Sequence, residues 1–131
     1  MSDRNKETVG KVNKAFSAGN FEAFFDFCAD DLVFTIVGDR TVRGKDTARQ
    51  FMRSMAAESP EPPTITPIEP ILADGEFVAA RGNMQMKDKD GKKGHYSYCD
   101  IYRFRGDKIV ELSSYIVKAE GQSKSSSASN R

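Results

Sequence analysis

Cysteine and histidine are scarce in this chain. Its 131 residues include two cysteines, Cys28 and Cys99, and one histidine, His95. A structural zinc site takes about four Cys and His ligands at set spacings. These three residues cannot build one, no carboxylate spacing points to another metal, and no metal is expected. Each cysteine lies in an apolar run, which favours two buried free thiols over a disulfide. A charge excess is missing too: 20 Lys and Arg face 19 Asp and Glu. Surfaces dedicated to nucleic acid carry a clear basic excess, so no nucleic-acid partner is expected. No run approaches the roughly 18 apolar residues of a membrane helix, and the opening MSDRNKETVG lacks the apolar core of a signal peptide. No membrane partner is therefore expected, and the expected compartment is the cytoplasm. There is no P-loop, no GxGxxG after a strand, no HExxH and no CxxC. No cofactor is expected.

What is present is the profile of a soluble globular domain, 38% apolar and 30% charged. One domain is expected over residues 1–120, followed by a disordered serine-rich tail over 121–131. Residues 1–6 are polar and expected to fray. From Glu7, Val9, Val12 and Phe16 recur at helical spacing. Ala18-Gly19-Asn20 ends that helix, and Asn20 is a good N-cap for a second one carrying Phe21, Phe24, Phe25, Phe27 and Cys28. So many rings cannot share one stripe, so this helix should be wedged between two apolar surfaces. Leu32 to Val37 reads as a strand and Gly38-Asp39 as a turn. A third helix runs from Lys45 to Ala57, buries Ala48, Phe51, Met52 and Met55, and is stopped by Ser59-Pro60-Glu61-Pro62-Pro63.

Four strand segments follow. Ile65 to Ala73 contains Pro67 and Pro70 and should be an edge. Phe77 to Met86 follows the Asp74-Gly75 turn, with Val78, Ala80, Gly82, Met84 and Met86 on one face. Lys87 to Gly94 reads as a solvated, charged loop. Tyr96 to Arg105 and Lys108 to Lys118 flank the Gly106-Asp107 turn. The fold class is α+β, with three N-terminal helices packed on one face of a curved, mostly antiparallel sheet.

The strand from Tyr96 carries the sharpest signal. Alternation puts Tyr96, Tyr98, Asp100, Tyr102 and Phe104 on one face. One carboxylate among four rings, if that face is the inner one, loses water and its pKa rises. Such a group can donate a hydrogen bond to a developing oxyanion or, less shifted, act as a general base. The bland alternative is a structural bond to a neighbouring tyrosine hydroxyl. On the last strand Ser114 is the one polar residue among Val110, Leu112 and Ile116, with no base placed beside it by sequence. His95 sits at a loop edge and reads as exposed.

Several segments resemble a known family. Ser17-Ala18-Gly19-Asn20-Phe21-Glu22-Ala23-Phe24 and Cys28-Ala29-Asp30-Asp31 look like the opening of ketosteroid-isomerase-like and SnoaL-like proteins. Arg43-Gly44-Lys45-Asp46 and the run from Tyr98 to Val110 are also similar, in the same order. Together they identify a member of the nuclear-transport-factor-2-like (NTF2-like) superfamily. The resemblance implies a cone-shaped α+β barrel with a deep apolar pocket, and a homodimer through the outer sheet face. It puts Asp100 at the place of the protonated acid of ketosteroid isomerases. The tyrosine of that family falls at Val12, and its base at Thr35 or Ile36. The last-strand aspartate of the related epoxide hydrolases falls at Ser114.

The expected ligand is a small hydrophobic molecule, cyclic and oxygenated. Asp100 and Tyr98 are the candidate catalytic pair, with Tyr96 as the other candidate partner. Phe34, Thr35, Met52 and Met84 are candidate ligand contacts, as are Tyr96, Tyr102, Leu112, Ser114 and Ile116. The expected chemistry is proton transfer, as in isomerisation or cyclisation. The alternatives are a non-catalytic binder and an interaction module whose interior is filled by its own side chains.

Overall fold

The computed structural model describes residues 2–58, 61–87 and 90–119. The serine-rich stretch 121–131 lies outside the described residues, as do Ser59 and Pro60 of the expected helix stop. The elements run α1 (Ser2–Ser17), α2 (Glu22–Asp26), β1 (Cys28–Ile36), β2 (Arg40–Arg43), α3 (Lys45–Ala57), β3 (Thr64–Asp74), β4 (Phe77–Lys87), β5 (Lys93–Arg105) and β6 (Lys108–Lys118). The strands form one curved sheet in the order β2-β1-β6-β5-β4-β3. All neighbours are antiparallel except β1 and β6, which are parallel. The expected α+β class, with three helices on a mostly antiparallel sheet, matches this architecture.

Local chemistry explains most of the boundaries. Helix α1 buries Val9 and Val12 completely. It ends in a Schellman turn: Gly19 has φ +80°, its amide donates to the Phe16 carbonyl at 3.0 Å, and the Asn20 amide donates to Ala15 at 2.8 Å. Contrary to expectation, α1 begins at Ser2 rather than Glu7. Helix α2 is a single turn capped at Phe21 without a side-chain bond, not a longer helix capped by Asn20. The cause is visible at Asn20, whose amide closes α1 while its carbonyl accepts from Ala23. Cys28 already belongs to β1. Phe24 and Phe25 are fully buried, and Phe24 meets Phe16 at 5.5 Å between ring centroids.

Two further expectations are corrected. Residues Arg40–Arg43 pair with β1 as a short strand, where no strand was expected. Four residues with one half-buried side chain are too short to show alternation. The charged loop is also shorter than Lys87 to Gly94, because Met86 pairs with Gly94 and Lys87 with Lys93. The proline-bearing β3 is indeed the sheet edge, and its register shifts between Ile68 and Leu72.

Helix α1 packs on β3 and β4, and α3 packs on β1 and β2. The core joins α1, the α2 phenylalanines, α3 and the inner face of the sheet. The two helices contact different parts of the sheet, and a cavity forms between them above β5 and β6.

Candidate functional site

The cavity has a volume of about 470 Å³. Its floor is built from Tyr98 and Asp100 of β5 and Ser114 and Ile116 of β6. Period-two alternation puts each pair on the inner face. The β5–β6 register then sets Asp100 directly across from Ser114, and Tyr98 across from Ile116. Phe34 of β1, Met84 of β4 and Met52 of α3 form walls. Met55 of α3 and Pro62 stand with Phe21 at other points of the lining.

Asp100 is half-buried and lines the cavity. Burial pushes its carboxyl up from 3.8 to about 6, while a hydrogen bond from the Ser114 hydroxyl pulls the other way. Ser114 is itself buried. Two buried phenols share the Asp100 face. Burial first, and the Asp100 charge second, push Tyr98 up to about 12 and Tyr102 well above its usual range. Both therefore stay protonated. Their hydroxyls are covered, yet neither has a hydrogen-bond partner among the described residues. The Tyr98 hydroxyl lies over Gly82, where an added Cβ would sit 2.6 Å from it and 2.5 Å from the Thr66 carbonyl oxygen. At this crossing of strand and ring only glycine fits.

Seven of the residues singled out from sequence line this cavity together: Phe34, Met52, Met84, Tyr98, Asp100, Ser114 and Ile116. Four do not. Thr35 points to the other face of β1, where its hydroxyl bonds Thr41 at 3.1 Å. Tyr96 lies against its own strand at Gly94, off the cavity. Tyr102 and Leu112 are 0% and 2% exposed and belong to the core beneath the floor. Cys28 is buried as expected, but Cys99 is only half-buried on the opposite face of β5.

Asn13 of α1 is a lining residue that sequence reasoning missed. It sits between Val12 and Phe16 on the helix stripe that is buried, and a polar residue inside an apolar stripe was the available signal. Phe16, Phe21 and Ile36 were seen as apolar but not as cavity walls. Glu61 stands at the cavity and pairs with Lys87 at 3.1 Å. Among the described residues no group of three His, Cys, Asp or Glu could hold a metal ion, and no helix is long and apolar enough to cross a membrane.

None of the curated proteins matches the chain. Among solved structures it is similar to an NTF2-like protein of unknown function from Cytophaga hutchinsonii, at 28% identity and a TM-score of 0.70 over 86% of this chain and 98% of that one. A protein provisionally assigned as a polyketide cyclase, from Xanthomonas campestris, superposes with a TM-score of 0.77 at 17% identity, covering 87% and 90%. An LEH-like epoxide hydrolase of M. tuberculosis superposes at 0.72 and 19%, covering 88% and 84%. At those identities the last two speak for the fold alone. The SnoaL-like domain matches residues 9–112, from the first buried apolar residue of α1 to the middle of β6, and the chain belongs to that family.

Proposed function

We propose that this chain binds a small, hydrophobic, oxygenated molecule in the cavity between α1, α3 and the sheet, and that Asp100 moves a proton on it. The observation that supports this is a carboxyl, raised to about 6, on the floor of an otherwise largely apolar cavity. A volume of about 470 Å³ falls within the usual range of small-molecule sites. A group titrating near 6 is mostly carboxylate at pH 7 and accepts a proton from an acidic C–H or O–H of the guest. Once protonated, it returns that proton to another atom of the same guest, which amounts to an isomerisation or the closing step of a cyclisation. The Ser114 hydroxyl orients the carboxylate through its hydrogen bond. Tyr98, held neutral two residues away on the same face, is the donor for a developing oxyanion. Its hydroxyl must turn off Gly82 to serve.

The test uses a cyclic ketone such as 2-tetralone in deuterium oxide, followed by NMR. The wild-type chain should speed exchange of the α-hydrogens, and Asp100→Asn should abolish that acceleration with the fold retained. Equal exchange by both proteins would remove Asp100 from the chemistry. A second reading, a binder without catalysis, is favoured by one observation: the positions that match the family's tyrosine and base carry Val12 and Thr35 or Ile36. In that case Asp100→Asn changes affinity modestly, and Met84→Ala weakens binding more.

The same proposal places the chain in the cytoplasm as a homodimer. The outer sheet face supports the dimer, because Tyr115 and Val117 remain 47% and 66% exposed there. A light-scattering mass near 14.5 kDa would rule out this dimer.

A further inference from the structure

Asn13 is 7% exposed and lines the cavity. Its amide makes no hydrogen bond to any described residue. The amide atoms are not among the fully covered polar atoms without a partner, so the amide keeps some accessible surface, and its residue is on the cavity lining. Burying an amide without a partner is unfavourable, and native interiors rarely do so without a reason. Helix α1 packs on β3 and β4, whereas the Asp100–Ser114 pair belongs to β5 and β6. The two polar points therefore stand on different walls, with apolar side chains such as Phe16, Phe34 and Met84 around them.

We propose that Asn13 is the second polar anchor of the cavity and selects neutral guests that carry two separated oxygen functions on an apolar body. This rests on the cavity being a ligand site. One oxygen meets the Asp100–Ser114 pair and the other meets Asn13. An amide offers two donors and an acceptor, so a carbonyl or a hydroxyl suits it equally. Charge narrows the class further. Among the described residues on the lining, the ionisable side chains apart from the Tyr98 phenol are Asp100 and Glu61, and Glu61 is paired with Lys87. A carboxylate guest would meet the like charge of Asp100 in a poorly solvated space.

Binding is measured by fluorescence with four probes: N-phenyl-1-naphthylamine, 2-naphthol, and the 1,5 and 2,6 isomers of dihydroxynaphthalene. The wild-type chain should bind the better dihydroxy isomer about tenfold more tightly than 2-naphthol, the gain of one further hydrogen-bonded anchor. In Asn13→Leu that advantage should vanish and the melting temperature should rise. A residue with a purely structural role would lower the melting temperature instead. Asn13→Ala removes the amide without adding bulk and should lose the same tenfold, which covers a misfolded Leu variant. Retention of the dihydroxy preference by either folded variant overturns the role of Asn13 and leaves the ligand site standing, as does a wild-type chain that binds 2-naphthol equally well. If the wild-type chain binds none of the four probes, both proposals fall.

Discussion

Replacing Asp100 by asparagine should stabilise the protein more at neutral and alkaline pH than near pH 4. Burial raises this carboxyl from 3.8 to about 6. In the unfolded chain it ionises near 3.8, well before the folded form does. Between those values the unfolded state gives up its proton first, so stability is lost as pH rises from about 4 through 6 and is constant above. The rise from 3.8 to about 6 corresponds to about 3 kcal/mol, and the partial exposure of Asp100 makes this an upper value. The asparagine side chain cannot ionise, so the variant escapes the loss. The exchange of an oxygen for an NH₂ group adds a contribution of its own, but one that does not change with pH. The informative quantity is therefore the change in the variant-minus-wild-type difference between pH 4 and pH 8. Urea denaturation at pH 4, 5, 6, 7 and 8 measures it, and carboxyl carbon shifts of Asp100 locate the midpoint. A stability difference that stays flat to within about 0.5 kcal/mol, with a midpoint near 4, would refute the account of this site as a desolvated carboxylate.

Tyr102→Phe deletes a buried hydroxyl that has no partner among the described residues; it should be neutral or stabilising by about 1 kcal/mol in the same denaturation assay, and a clear loss would mean the hydroxyl is bonded in solution. Gly82→Ala should cost about 1–3 kcal/mol, because its Cβ would meet the Thr66 carbonyl oxygen at 2.5 Å and the Tyr98 hydroxyl at 2.6 Å; thermal denaturation checks this, and a wild-type melting temperature would contradict the packing. The Cys28 thiol is buried, donates to the Phe24 carbonyl at 3.3 Å and is pushed up to about 12. At pH 8 a thiol reagent should leave it unmodified until urea unfolds the chain, and rapid stoichiometric labelling of Cys28 in the native protein would contradict its burial.

Much of the fold was legible because short-range chemistry governs it. The apolar spacing of α1, the Gly19 terminator, the extent of α3 and the β5–β6 hairpin all follow from neighbours within a few residues. Errors arose where local signals competed or ran short. Asn20 had two uses, closing α1 or capping α2, and the Schellman turn won. Strand β2 has four residues, too few for a period. Cys99 sits in an apolar stretch of sequence, but strand alternation turns it to the opposite face from Asp100.

The site divides in the same way. By itself the sequence determined that Asp100 shares a face with Tyr98 and Tyr102, because alternation along one strand is a local rule. It could not distinguish cavity wall from core: Tyr98 and Tyr102 alternate identically, yet one lines the hollow and the other lies under it. That outcome depends on where α1 and α3 leave the sheet uncovered. The parallel β1–β6 pairing that brings Phe34 beside Leu112, and the placing of Asn13 on the cavity wall, join residues far apart in the chain. Only the tertiary structure settled these, because contacts of that range depend on how whole elements pack, which no window of neighbouring residues records.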